Sequence, residues 1–198
     1  IAKLTHKTIL LESLLTYGSR QNPKRGYLFI SKILGKYIPS SPAKMRESYY
    51  SLAIDILNST INSDRTWVVG VAETATGLGA GVAQELKRLG TKDVVFSHTT
   101  RYQLSKDISC SISETHSHAP SHLIYELEEQ GYYASVDTLV LVDDEISTGK
   151  TLNQITEELV KKTPLLKQIV WASLVNWLSD AEKNADIKRY PEIKIRFN

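Results

Sequence analysis

Asp143 and Asp144 are adjacent carboxylates, and a run of small and hydroxylic residues, Ser147-Thr148-Gly149-Lys150-Thr151, follows them closely. The two groups ask for opposite partners. Paired acids attract hydroxyl donors or a divalent cation. A Gly-centred loop that opens a helix presents backbone N–H groups to an anion, and the helix dipole adds about 0.3–1 kcal/mol. The hydroxyls and Lys150 add further donors. A ligand with a phosphate at one end and a vicinal diol in its middle satisfies both groups, and a ribose 5-phosphate is such a ligand.

The elements around these residues suit that task. Leu139 to Val142 is a short apolar run of strand formers, and Leu152 to Lys162 carries a helical pattern. A buried parallel strand that ends in acids and turns into a helix belongs at the carboxyl edge of an open α/β sheet, where such sheets bind ligands. The loop is not that of the nucleotide triphosphatases. That motif needs a glycine five residues before Gly149, and Asp144 stands there.

The rest of the chain supplies the strand–helix alternation of a mostly parallel sheet with right-handed crossovers. Strands are expected at Thr66–Val71, Asp93–Ser97, Gln168–Val175 and Glu192–Phe197. Helices are expected at Leu78–Leu89, closed by Gly90, and at His122–Gln130, stopped by Gly131. The first part of the chain lacks this rhythm. It offers a helix over His6–Tyr17 ended by Gly18, a cationic loop at Ser19–Gly26, an apolar stretch Tyr27–Leu34 and a helix over Ala43–Leu57. Residues 1–62 therefore read as a helical hood on an α/β core at 63–198, in one compact unit.

Composition narrows the setting. A formal net charge of +2 over 198 residues makes no case for a nucleic-acid or membrane partner. A single cysteine, Cys110, excludes an internal disulfide and a multi-cysteine metal site. No apolar run approaches the length of a membrane span and no signal peptide is visible, so a cytoplasmic location is expected. The chain opens on Ile1 and has Met45 as its one methionine, as a trimmed chain or one domain of a longer protein would.

The stretch from Leu139 to Thr151 resembles the PRPP-binding signature of type I phosphoribosyltransferases: apolar residues, two acids, three variable residues, then Thr-Gly-x-Thr. The resemblance implies an α/β fold with an N-terminal hood. It implies that Asp143 and Asp144 hold the ribose hydroxyls, that Ser147, Thr148, Gly149, Lys150 and Thr151 hold the 5-phosphate, and that Mg²⁺ sits on PRPP oxygens beside the two acids. Ala72, Glu73, Thr74 and Ala75 stand where the family places its pyrophosphate loop, often with a non-proline cis peptide. Glu73 departs from an anion-binding loop and is tolerable there only with Mg²⁺ or another cation close by. A homodimer is the family default.

The connection Thr99–Ser121 is long and polar, as functional lids are. It stands where the family has its catalytic loop. Arg101 is placed to neutralise departing pyrophosphate, and His116 or His118 to handle a proton. Two other readings stay open: His116, His118 and His122 as metal ligands, or incidental histidines in a solvated loop. A narrower likeness covers residues 19–39, 72–79 and 114–125. These resemble phosphoribosyltransferase-like proteins of bacterial tellurium-resistance-type gene clusters, which places Arg20, Lys24, Arg25, Lys32 and Lys36 in a hood over the substrate. A cationic loop is also an ordinary solvated surface.

Ser147 stands where hypoxanthine and guanine members carry an acid, and the lid lacks the acid-rich pattern of orotate members. The expected activity is Mg²⁺-dependent transfer of ribose 5-phosphate between PRPP and another nitrogenous base or base-like acceptor, with pyrophosphate as co-product. The alternative is a PRPP-sensing regulator without transfer activity.

Overall fold

The molecule is a computed structural model that describes residues 11–19, 21, 26–60, 63–113, 120–129 and 131–198. Its centre is a five-stranded sheet in the order β4–β3–β7–β8–β9. The strands are β3 (Thr66–Gly70), β4 (Val94–His98), β7 (Thr138–Ile146), β8 (Gln168–Asn176) and β9 (Lys194–Phe197). Every neighbouring pair is parallel. Val- and Ile-rich runs buried on both faces are what a parallel sheet demands.

Side chains of successive strand residues leave opposite faces. Trp67, Val69, Leu139, Leu141, Ile169 and Trp171 fill one face. Val68, Val140, Val142, Val170 and Ala172 fill the other. The second face is covered by α2 (Pro42–Ser59), through Leu52, Ala53 and Ile56, and by α3 (Ala75–Arg88), through Leu78, Val82 and Leu86. The first face is covered by α4 (Lys150–Val160) and by an antiparallel hairpin of β5 (Ile108–Ser113) and β6 (Pro120–Tyr125). The two central tryptophans are fully buried with their N–H groups satisfied. Trp67 donates to Ser97 Oγ at 2.8 Å and Trp171 to Thr156 Oγ1 at 3.2 Å.

α2 starts at a Ser41 cap with Pro42 in the first turn, and α5 (Asp180–Arg189) starts at a capping box of Ser179 and Glu182. α2 and α3 are locked by the buried Glu85 carboxylate, which accepts from Arg46 at 3.2 Å and from Arg88 at 2.6 Å.

Two expected helices differ from the structure. Of the first, residues 6–10 lie outside the described residues, and among the described ones Leu11–Leu14 is helical (α1). Leu15–Ser19 (β1) instead pairs antiparallel with Tyr27–Ser31 (β2), and Gly18 lies inside the strand. A short isolated helix is marginal, and Thr16 and Tyr17 are good strand residues, so non-local pairing wins. The hood therefore contains a β-hairpin as well as helix. The second expected helix, His122–Gln130, begins as β6. Leu123 and Ile124 are both buried, and a short apolar run cannot be told from helix by periodicity alone. The Thr99–Ser121 connection likewise contains β5 and the first residues of β6.

Among the described residues no helix is long and apolar enough to cross a membrane.

Candidate active site

The chain leaves β3 through α3 toward β4 on one side, and leaves β7 through α4 toward β8 on the other. β3 and β7 are neighbours, so their following loops part and open a crevice at the carboxyl end of the sheet, the place where such sheets take ligands. The residues after β3 and the residues at the end of β7 face each other there.

Asp143 and Asp144 lie near the end of β7, partly exposed. The Asp144 N–H donates to Asp143 Oδ1 at 2.9 Å. Burial, and then the neighbouring Asp144 charge, push the Asp143 carboxyl well above its ordinary value of 3.8. Burial raises Asp144 as well, while Lys36 pulls it down. Two carboxylates held together against their own repulsion are a donor set that sugar hydroxyls or a divalent cation would relieve.

The loop then exposes Ser147 and Thr148 and turns at Gly149, which has φ +66° and sits just before α4. A side chain at Gly149 would be strained by that φ, and its Cβ would come 3.0 Å from the Trp171 ring. No side chain caps α4, so the start of this helix faces the loop with its backbone donors. Lys150 is exposed on the first turn and Thr151 is half-buried.

On the β3 side, the Ala72–Glu73 peptide is cis. Glu73 is exposed and Ala75 is buried as the first residue of α3. Two of the loop's amides are already used: Ala72 N–H donates to Thr99 Oγ1 at 2.7 Å and Ala75 N–H to the Val71 carbonyl at 3.1 Å. α3 approaches β3 closely because a Cβ on Gly79 would come 2.8 Å from Gly70 Cα. Thr74 occupies the cap position of α3 without capping it. Its hydroxyl instead accepts from Lys36 Nζ at 2.8 Å.

Sequence reasoning missed three parts of this arrangement. Thr99, fully buried, lies 2.9 Å from Nδ1 of the buried His122, so β6 is tied through one hydroxyl to the loop after β3. The alternation Ile108, Cys110, Ile112 was the available strand signal for β5. Phe29 of β2 stacks on Trp177 at 5.1 Å, and the backbone N–H of Trp177 donates to the Ile146 carbonyl at 2.9 Å. Tyr17 packs against Phe29 at 5.2 Å. The hood hairpin is therefore docked beside the phosphate-type loop, a contact no local pattern announces.

The other candidates are placed as follows. Lys36 reaches the site. Lys32 donates to the Glu12 carbonyl at 2.9 Å, within the hood. Arg101 is exposed on a bend after Thr100. Arg20, Lys24, Arg25, His116 and His118 lie outside the described residues. Among the described residues no group of three or more His, Cys, Asp or Glu converges on a metal position.

The family described as "Phosphoribosyl transferase" matches residues 14–198. No curated protein matches the chain. Among solved structures, the chain is similar to adenine phosphoribosyl transferase from Trypanosoma brucei, solved with AMP, pyrophosphate and ribose-5-phosphate. The identity is 15% and the TM-score 0.61, over 94% of this chain and 76% of that one. It is similar to the enzyme from Giardia lamblia complexed with 9-deazaadenine at 17% identity and TM-score 0.58, over 94% of this chain and 95% of that one. A third similar structure is adenine phosphoribosyltransferase from Leishmania tarentolae, at 18% identity and TM-score 0.61, over 94% and 83% of the two chains. At these identities the structures speak to the fold, and it is the same mostly parallel sheet flanked by helices.

Proposed function

The chain belongs to the phosphoribosyl transferase family, a glycosyltransferase-type enzyme group, and from that premise we propose how its site divides the work. The donor is PRPP. Asp143 and Asp144 accept hydrogen bonds from the ribose 2- and 3-hydroxyls and orient the sugar. Ser147 to Thr151, with the start of α4, grip the 5-phosphate. Pyrophosphate lies toward the start of α3. Because the amides of Ala72 and Ala75 are committed, the binding falls to the Glu73 and Thr74 amides and the Thr74 hydroxyl.

A nitrogen of the acceptor attacks C1 of the ribose. The C1–N bond forms, the C1–O bond to pyrophosphate breaks, and the electron pair leaves with pyrophosphate. Mg²⁺ fits the two raised carboxylates, which would hold it largely through ribose oxygens, and when bound it neutralises pyrophosphate charge. The β5–β6 hairpin and its connecting segment, with His116 and His118, serve as the lid that excludes water and handles the acceptor proton, and Arg101 assists the departing anion. The acceptor is a planar base or base-like compound beneath the hood, near Phe29 and Trp177. Ser147 lacks the acid that a 6-oxopurine would meet. A cytoplasmic homodimer making a nucleoside-like product, as the likeness to tellurium-resistance-type clusters suggests, completes the reading.

The supporting observation is the pair of loops at the switch point, one with paired acids and an open helix start, the other beginning a second helix without a side-chain cap. The test is pyrophosphate release from PRPP and Mg²⁺ with a panel of bases, alongside PRPP-induced thermal stabilisation. Base-dependent release that is lost in Asp143→Asn/Asp144→Asn supports transfer. Stabilisation by PRPP with no release for any base supports a sensor instead. A double variant that behaves like the parent would remove the ribose site from these residues.

A further inference from the structure

We propose that Lys36, from the hood, supplies the positive charge that the pyrophosphate loop itself lacks. This rests on the assignment of pyrophosphate to the loop after β3. A pyrophosphate group is a concentrated anion, and its binding sites combine backbone donors with a cation. Between Val71 and Thr76 this chain has no Lys or Arg, and its one charged residue is Glu73, of the wrong sign. The start of α3 contributes backbone donors and only about half a unit charge. The loop's own residues are therefore short of positive charge.

Lys36 meets that need from far away in sequence. It follows Gly35, whose φ of +70° turns the chain beyond β2. Its ammonium donates to Thr74 Oγ1 at 2.8 Å, at the cap position of α3. Its charge also reaches Asp144 on the opposite loop, where it opposes the rise that burial causes. The hydrogen bond to Thr74 therefore brings a hood cation to the start of α3. An ammonium has three donors, so it can keep Thr74 and still offer donors to phosphate oxygens. A cap-position threonine that accepts from a lysine, rather than capping its own helix, also leaves the helix start open to a ligand. Lys36 is exposed, so both its removal and its use by a ligand are sterically simple.

The test measures Mg²⁺-supported binding of PRPP, pyrophosphate and ribose 5-phosphate to the full chain by calorimetry, for the parent, Lys36→Met, Lys36→Arg and Thr74→Val. Loss of a charge-assisted contact weakens binding by about 10- to 100-fold. That loss is expected for PRPP and pyrophosphate with Lys36→Met, with ribose 5-phosphate within about twofold of the parent on the logic of a local contact. Lys36→Arg restores most of the affinity, and Lys36→Met flattens the salt dependence of pyrophosphate binding. Thr74→Val removes both the seat of the ammonium and a hydroxyl assigned to pyrophosphate, so it too weakens PRPP and pyrophosphate while leaving ribose 5-phosphate unchanged.

Unchanged pyrophosphate and PRPP affinities in Lys36→Met overturn the inference and leave the PRPP reading intact. Equal losses for all three ligands also overturn it, because Lys36 would then be supporting the site as a whole. A parent protein that binds neither PRPP nor pyrophosphate removes the underlying reading and the inference together.

Discussion

Two loops at one end of the same sheet hold the two ends of the proposed donor, and they are built in opposite ways. The loop after β7 is nearly self-contained. Its acids are adjacent, the Asp144 amide bonds to Asp143, and Gly149 makes the turn into α4 with the Trp171 ring and Leu178 packed beside it. The loop after β3 is assembled from elsewhere. Thr99 takes the Ala72 amide, His122 meets Thr99 from β6, and Lys36 reaches Thr74 from beyond the hood hairpin. The first loop carries its chemistry in contiguous residues. The second borrows it.

The largest effects should come from the self-contained loop. Asp143→Asn is expected to weaken PRPP on the order of a hundredfold, since a charge-assisted contact to the ribose is lost. The same change should raise the ligand-free melting temperature at neutral pH, because it removes a carboxylate whose ionised form is disfavoured by burial and by Asp144. Each kcal/mol gained appears as about 2–4 °C in a chain of this size. The sign of the pH dependence follows. Asp143 has a folded pKa raised above its ordinary 3.8, so its contribution is fully favourable below that pH and is lost as pH rises through the folded value. Melting curves of parent and Asp143→Asn should therefore converge in acid and separate toward neutrality. A constant gap would remove the electrostatic explanation.

Gly149→Ala comes next. It forces a left-handed conformation, about 1–2 kcal/mol, and presses a methyl group on Trp171. Reduced stability together with weaker ribose 5-phosphate binding is the expected result, read by denaturant titration and calorimetry.

Thr99→Val sharpens the contrast by striking the borrowed loop through its brace. It leaves the half-buried Ala72 amide without its acceptor, at a cost of about 1 kcal/mol. Pyrophosphate affinity should fall while ribose 5-phosphate affinity holds, and Thr99→Ser should recover both stability and binding. Equal behaviour of the valine and serine variants would show that the hydroxyl does not set the loop.

The smallest effect on donor binding is expected at the hood. Phe29→Ala removes two ring contacts, with Trp177 and Tyr17, each worth about 0.5–1.5 kcal/mol beyond buried area. The KM for the acceptor should rise with the Kd for PRPP unchanged. A shift in PRPP affinity instead would place the hood's role at the donor.

The same contrast explains what could be read in the chain. The alternation of buried strands and helices was legible because each strand of a parallel sheet is a short, continuous apolar run between turn signals, as at Leu139–Val142 and Gln168–Val175. The acid pair and the Gly149 loop were legible because their residues are neighbours. The hairpins were not. β1 pairs with β2, and β5 with β6, by bonds between strands that lie apart in sequence, and Leu123 and Ile124 look helical or extended with equal ease until a partner is known. α5 could have been found, since Ser179 and Glu182 have the spacing of a capping box.

By itself the sequence determined the strands of the central sheet with α3 and α4, the paired acids of β7 and the phosphate-type loop, because local patterning and adjacent residues are enough to specify them. Only the tertiary structure decided that β3 lies beside β7, that Thr99 and His122 brace the loop after β3, that Phe29 docks on Trp177, and that Lys36 reaches Thr74. Those facts depend on contacts between residues 23 to 148 positions apart, 122 − 99 for His122 and Thr99 and 177 − 29 for Trp177 and Phe29. Closing such distances is the work of core burial and not of any local signal.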